Sequence, residues 1–146
     1  MGTICPCGVQ VNAFAKNQKV KIAGIQGTVR GNLTYKADIC VTSLTNSTLS
    51  LRFEETEKPS CFSFLFTSSN ITNVTCQREG QNCIVTVTGT GKIGLKHVPF
   101  VAVFRDQVES AENDIVQSFV IKGIFDQLGA VPVKQGSIVA LGCQSV

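Results

Sequence analysis

Residues 83–106, CIVTVTGTGKIGLKHVPFVAVFRD, decide the fold. Cys83, Val85 and Val87 alternate with Ile84, Thr86 and Thr88, the period of a pleated strand. The pattern is interrupted at Gly89, Gly91 and Gly94, then resumes over 98–104 in β-branched and aromatic residues. The stretch therefore predicts two strands joined by a turn. In the second strand Phe100 and Phe104 fall on one side and Val101 and Val103 on the other, which predicts a strand covered on both faces.

The same period runs outward in both directions. Val29, Leu33, Tyr35, Ala37, Ile39 and Val41 form one face of a strand whose other face carries Thr28, Arg30, Asn32, Thr34, Lys36 and Asp38. Leu49, Leu51 and Phe53 share a face, and so do Phe62, Phe64 and Phe66, whose rings are assigned to the core. Val20 with Ile22, Ile115 with Phe119 and Ile121, and Val139 with Leu141 and Cys143 extend the alternation. No segment has helical periodicity. Strands spaced by glycine turns predict an all-β fold, a single jelly-roll-like β-sandwich of about eight strands over residues 15–146.

Residues 1–14 read differently. Gly2, Pro6 and Gly8 break the stretch before the short alternation Val9, Val11, Ala13 and then Phe14. It predicts an extended N-terminal arm able to add to the edge of another sheet, where main-chain hydrogen bonds hold it and alternate side chains fill pockets. The start also lacks the basic and apolar regions of a secretory signal. Pro6 stands where a myristoylation signal has Ser or Thr, so export by another route, or after removal of a leader, is expected.

Bulk composition narrows the function classes. A chain of 146 residues suffices for one domain with its own core. Its net charge of +3 comes from a charged fraction of 16 % without a basic run, which excludes a nucleic-acid groove. Apolar residues come in short pieces, so membrane insertion is not expected.

Seven cysteines are many for a reducing cytosol and form no CxxC pairs with histidine partners, which points to an oxidising location. The odd count means that internal pairing leaves at least one thiol for a partner, a metal or nothing. Cys40 and Cys61 fall on outward faces and Cys143 lies near the end. Cys5 or Cys7 is therefore expected to bond one of these three in another chain. Cys76 and Cys83, on either side of a turn at Gly80, are expected to pair within the chain.

Little else in the sequence carries chemistry. His97 is the only histidine, which argues against a histidine-based metal centre or a triad. The string at Gly89–Lys92 is no phosphate loop, because Thr86 and Ile93 occupy positions that a P-loop gives to Gly and to Ser or Thr. Asp106, Glu109, Glu112, Asn113 and Asp114 gather oxygen atoms but lack EF-hand spacing, and an acidic loop in water accounts for them. Cys5 and Cys7 suit cross-linking better than a soft metal. No catalytic residue, metal or cofactor is assigned. Asn32, Asn46, Asn70 and Asn73 each open an N-x-Ser/Thr sequon and are candidate glycosylation sites if the source glycosylates its exports.

Two resemblances bear on these features. The order VTGTGKI, VPFVAVFRD, DIVQSFVIKG and QGSIVAL resembles a β-sandwich module of bacterial extracellular proteins and implies that fold and location for the C-terminal half. The plan of a cysteine-bearing arm, a β domain and a terminal cysteine resembles subunits of disulfide-linked spore appendages of Gram-positive bacteria. That likeness implies that Cys5 and Cys7 are arm cysteines bonded to neighbouring subunits, although the arm here has Cys-Pro-Cys instead of adjacent cysteines. The expectation is a non-enzymatic, self-assembling filament subunit at the cell or spore surface. The alternative is a secreted β-sandwich module that binds carbohydrate or mediates surface adhesion.

Overall fold

A computed structural model describes residues 5–56, 62–107 and 113–142. Among the described residues there are ten strands and one short 3-10 helix. They are β1 (Gly8–Ile22), β2 (Val29–Cys40), the 3-10 helix (Val41–Asn46), β3 (Thr48–Glu55), β4 (Phe64–Glu79), β5 (Asn82–Ile93), β6 (Lys96–Asp106), β7 (Asp114–Ile121), β8 (Phe125–Asp126), β9 (Val131–Val133) and β10 (Ile138–Leu141). All pairings are antiparallel.

The all-β expectation holds, and the architecture is an eight-stranded antiparallel barrel. From β1 to β8 each strand pairs with the next, and β8 returns to β1 through Lys21 opposite Asp126 and Ile22 opposite Phe125. A jelly roll needs Greek-key crossings between two sheets, whereas a meander that meets its own first strand closes and leaves no free sheet edge along the closed part. β10 lies beside the first half of β1, and β9 beside the first half of β7.

The N-terminal stretch is part of this barrel. Gly8–Ile22 is one strand, and Val9, Val11, Ala13 and Ala15 are buried in the chain's own core. The polar Lys16–Asn17–Gln18 that separates two short alternations in the sequence is a register shift between Ala15 and Gln18, with Asn17 at φ 57°. One extra residue in β1 restores the inward phase at Val20 without ending the strand. The expected boundary at residue 14 therefore falls inside β1, and Phe14 points outward, half exposed.

The glycines of residues 83–106 also differ from expectation. Gly89 and Gly91 lie inside β5, and the turn into β6 comes later, at Gly94 and Leu95. A Cβ on Gly91 would stand 2.4 Å from the Phe66 ring, so the missing side chain makes room for an inward ring from the paired strand. Val101 is 42 % exposed, so β6 is covered on its Phe100 and Phe104 face only. Of the three phenylalanines at period two, Phe66 is buried, Phe64 half-buried, and Phe62 lies exposed ahead of β4.

The barrel interior is filled by rings. Tyr35, Phe53, Phe66, Phe100, Phe104 and Phe119 are fully buried, and Phe119 contacts Tyr35, Phe66, Phe100 and Phe125. Tilted and edge-to-face geometries suit the ring quadrupoles and leave the interior packed. One polar pair sits among them. The Tyr35 hydroxyl donates to Gln127 Oε1 at 2.7 Å, and Gln127 Nε2 donates to the Val116 and Gly129 carbonyls at 2.8 and 2.9 Å. Burial holds the Tyr35 phenol far above its ordinary pKa, so it stays a donor across the accessible pH range. Tyr35→Phe strands a buried carbonyl and is expected to cost about 1–3 kcal/mol in urea unfolding, with the near-ultraviolet spectrum of the folded protein otherwise retained.

Candidate functional site

The features that the core does not explain gather at one end of the barrel, where β1 begins and the β4–β5 hairpin turns. Two intrachain disulfides lie there. Cys5 bonds to Cys40, at the end of β2, and Cys7 bonds to Cys76, on β4. The expected intersubunit role of Cys5, Cys7 and Cys40 is therefore replaced by internal staples. The reason is local: Gly8 pairs with Cys40, so residues 5–7 emerge beside the end of β2 and reach across to β4.

The expected Cys76–Cys83 bond is also replaced. The two residues sit on paired strands but not opposite each other, since Cys76 faces Val85 and Cys83 faces Arg78. Cys83 is itself disulfide-bonded, and Cys76 is taken by Cys7. Cys61 and Cys143 lie outside the described residues as well.

Between β10 and strands β6 and β7 no backbone pairing is recorded among the described residues, and two carboxylates take its place. Asp114, fully buried at the start of β7, accepts from the Gln107 amide through Oδ1 at 2.9 Å. Its Oδ2 accepts from the Gly136 and Ile138 amides at 2.8 and 3.0 Å. Asp106 Oδ2, at the end of β6, accepts from the Ala140 amide at 2.8 Å. Each carboxylate does what a strand's carbonyls would do, holding the donors of β10 that would otherwise be buried without partners. These two members of the candidate acidic cluster are thus absorbed by the fold, while Glu109 and Glu112 lie outside the described residues. Among the described residues no group of three metal-ligating side chains converges.

Burial raises the Asp106 carboxyl above its ordinary pKa; the Ala140 amide opposes this and the Asp114 charge adds to it. A raised carboxyl pKa means that the folded state holds the proton more tightly than the unfolded chain. The stability this gives is fully present below the ordinary carboxylate value of about 4 and is lost as pH rises through the raised one. Asp106→Asn keeps an acceptor for Ala140 and cannot ionise, so urea midpoints measured from acid to neutral pH should fall less with rising pH than those of the parent. Asp114→Asn has the opposite character. Its NH2 would face an amide donor, and a loss of about 2–4 kcal/mol at neutral pH is expected in the same titration.

The same end carries an exposed strand edge. β3 pairs with β4 only from Phe64 to Thr67, although β4 runs on to Glu79. From Ser69 to Glu79, no described strand pairs with β4 on the side away from β5. Register shifts between Ser68 and Asn70 and between Ile71 and Asn73 bend the strand over the barrel, burying Ile71 and Val74 while Thr72, Asn73, Thr75 and Gln77 stay exposed. The 3-10 helix packs against this stretch. Beyond it the Cys7–Cys76 bond is the tie to β1, and a groove of about 520 Å³ opens beside Pro6, Val74 and Arg78. Arg105 Nη1 pairs with Glu79 Oε1 at 2.6 Å, joining β6 to β4 across β5.

The remaining candidates scatter. Asn46 ends the 3-10 helix, while Asn70 and Asn73 sit at the two shifts in β4; all three are exposed. Asn32 is half-buried and its Oδ1 accepts the Asn17 amide at 2.9 Å. His97 is an exposed residue of β6. A second groove of about 530 Å³ runs over the outer wall between β1 and β4, lined by Asn12, Lys36, Asp38, Ser50 and Thr67 among others. Among the described residues no helix is long and apolar enough to cross a membrane.

In comparisons with protein families, with characterised proteins and with solved structures, none matches this chain.

Proposed function

We propose that the chain is a structural, self-assembling subunit of an extracellular or spore-surface filament, in which the free edge of β4 pairs with the same edge of a second copy. The observation that carries this reading is the run of β4 from Ser69 to Glu79, beside which, among the described residues, no strand pairs on the side away from β5. Unpaired backbone donors and acceptors in a row are a template for another strand, and pairing them with directional hydrogen bonds sets the alignment of the two subunits.

The rest of the molecule suits such a part. Its interior is filled by buried rings, and its disulfides suit an oxidising location. The N-terminal stretch serves as the protein's own first strand, so assembly rests on the edge and not on an exchanged arm. A cysteine beyond those already bonded supplies a second kind of junction by disulfide. Two distinct junctions per chain extend an array without closing it.

A secreted binding module is the second reading, favoured by the outer-wall groove. Asn12, Lys36, Asp38 and Ser50 offer hydrogen-bonding groups there, as a sugar site would, though the groove presents no aromatic ring for stacking.

The oxidised protein is expected to form concentration-dependent elongated species in sedimentation velocity and negative-stain images. The double variant Thr75→Lys, Gln77→Lys places like charges along the exposed edge and should sediment as a folded species no larger than a disulfide-linked pair, and as a monomer under reductant, with an unchanged circular dichroism spectrum. A parent protein that stays monomeric at every concentration, and that is retained by a carbohydrate array, would favour the binding module.

A further inference from the structure

We infer that the outer wall formed by β1–β6 is a docking face for an acidic polysaccharide, one whose sugars carry carboxylates. The strand registers set six outward side chains across the wall in one row: Asn12, Lys36, Ser50, Thr67, Lys92 and His97, each opposite the next. A second row, two residues further along the strands, runs from Phe14 through Thr34 and Arg52 to Leu65. Paired strands stand about 4.8 Å apart, so the first row follows the wall for about 24 Å. The groove of about 530 Å³ lies under its first four members.

Cations gather on this wall without a bonded counter-charge. Lys36, Arg52 and Lys92 are all exposed, and among the described residues none of the three has an ion-pair or hydrogen-bond partner. Arg52 is the diagonal neighbour of Lys36 across β2 and β3, a separation of about 7–8 Å at which like charges repel. Lys92 lies further along the row, and Lys96 is exposed at the start of β6 beside it. An anion laid across the wall would relieve that repulsion.

The pattern selects the kind of anion. Arg52 presents a planar fork that meets a carboxylate with two parallel hydrogen bonds, and the lysines are point charges for others. Between the cations stand Asn12, Thr34, Ser50 and Thr67, whose amide and hydroxyl groups pair with sugar hydroxyls. Phe14, 52 % exposed one row beyond the groove, offers a ring to the apolar face of a sugar. Asp38 and Glu54 flank the cations on the same outward faces. A nucleic acid or a heavily sulfated chain carries an anion at every step and would press some of them against these two carboxylates. A sugar chain with one carboxylate per residue and hydroxyls between them meets the wall's alternation of cations and neutral donors.

The inference rests on the binding-module reading, which it narrows to one class of sugar, and not on edge pairing. Thr67 is the last residue of β4 in the face, while the stretch proposed for strand pairing begins at Ser69. One chain can therefore carry both.

The test is fluorescence anisotropy of end-labelled oligogalacturonate titrated with the oxidised full chain, at protein concentrations below any onset of assembly. Binding that weakens with added salt, and that polygalacturonate displaces while uncharged dextran does not, is expected. Lys36→Gln, Arg52→Gln and Lys92→Gln should each weaken it about two- to fivefold, and the triple variant should lose it with its circular dichroism spectrum unchanged. The control Lys19→Gln, Lys122→Gln, Lys134→Gln removes three exposed cations outside the face and should bind like the parent. No binding by the parent, or equal binding by the two triple variants, would overturn the inference. Displacement by dextran as readily as by polygalacturonate would overturn it and leave a module for neutral sugars. Tighter binding of dextran sulfate than of polygalacturonate would overturn it in favour of a denser polyanion. A protein retained by no glycan, charged or neutral, would remove the module reading as well.

Discussion

The buried carboxylate of Asp114 is the contact on which the architecture depends most. A meander of antiparallel strands can close only if its last segments find partners for their amides, and here the closing strands are short. β8 contributes two residues to the ring and β10 four to its neighbour β1. The far side of β10 faces β6 and β7 without strand pairing among the described residues, and Asp114 meets two of its approaching amides while also holding Gln107. Asp106 takes a third amide of the same segment at Ala140. Without these acceptors the segment would bury donors at a cost comparable to a protein's whole margin of stability. The seam and the position of β10 both follow from that arrangement.

Alternation made most of the strands legible. The faces of β2 and β3 follow from their period of two, and the rings they carry inward are the rings that fill the core. What could not be read is non-local. Closure depends on two residue pairs between β1 and β8, for which no local pattern exists. Gly89 and Gly91 resemble turn residues because glycine has two uses, and the other use, making space for the Phe66 ring, depends on which strand lies alongside. The polar triplet Lys16–Asn17–Gln18 looks like a break because a bulge and a loop share composition.

The candidate site was legible only in part. That Cys5, Cys7, Cys40 and Cys76 are important is visible from their number and from the outward phase of Cys40, but seven cysteines admit many connectivities and only the register of β1 on β2 selects among them. Asp114 had a local signal, an acidic residue opening the apolar strand DIVQSFVI, which suits a buried acceptor better than a solvated loop. The free edge of β4 had none, since a strand's length says nothing about how far its neighbour runs beside it.

Internal staples change what an assembly of this protein can be. A covalent chain built through an N-terminal arm would need Cys5 and Cys7, which are already bonded within the subunit, so in the proposed assembly cohesion rests on backbone pairing along the β4 edge that no described strand covers. Hydrogen exchange of the β4 amides, followed by mass spectrometry on assembled and monomeric protein, tests this most directly. The account predicts that amides between Ser69 and Glu79 gain protection on assembly while the rest of the barrel changes little. Equal exchange of that stretch in the two states, with protection appearing elsewhere, would contradict it.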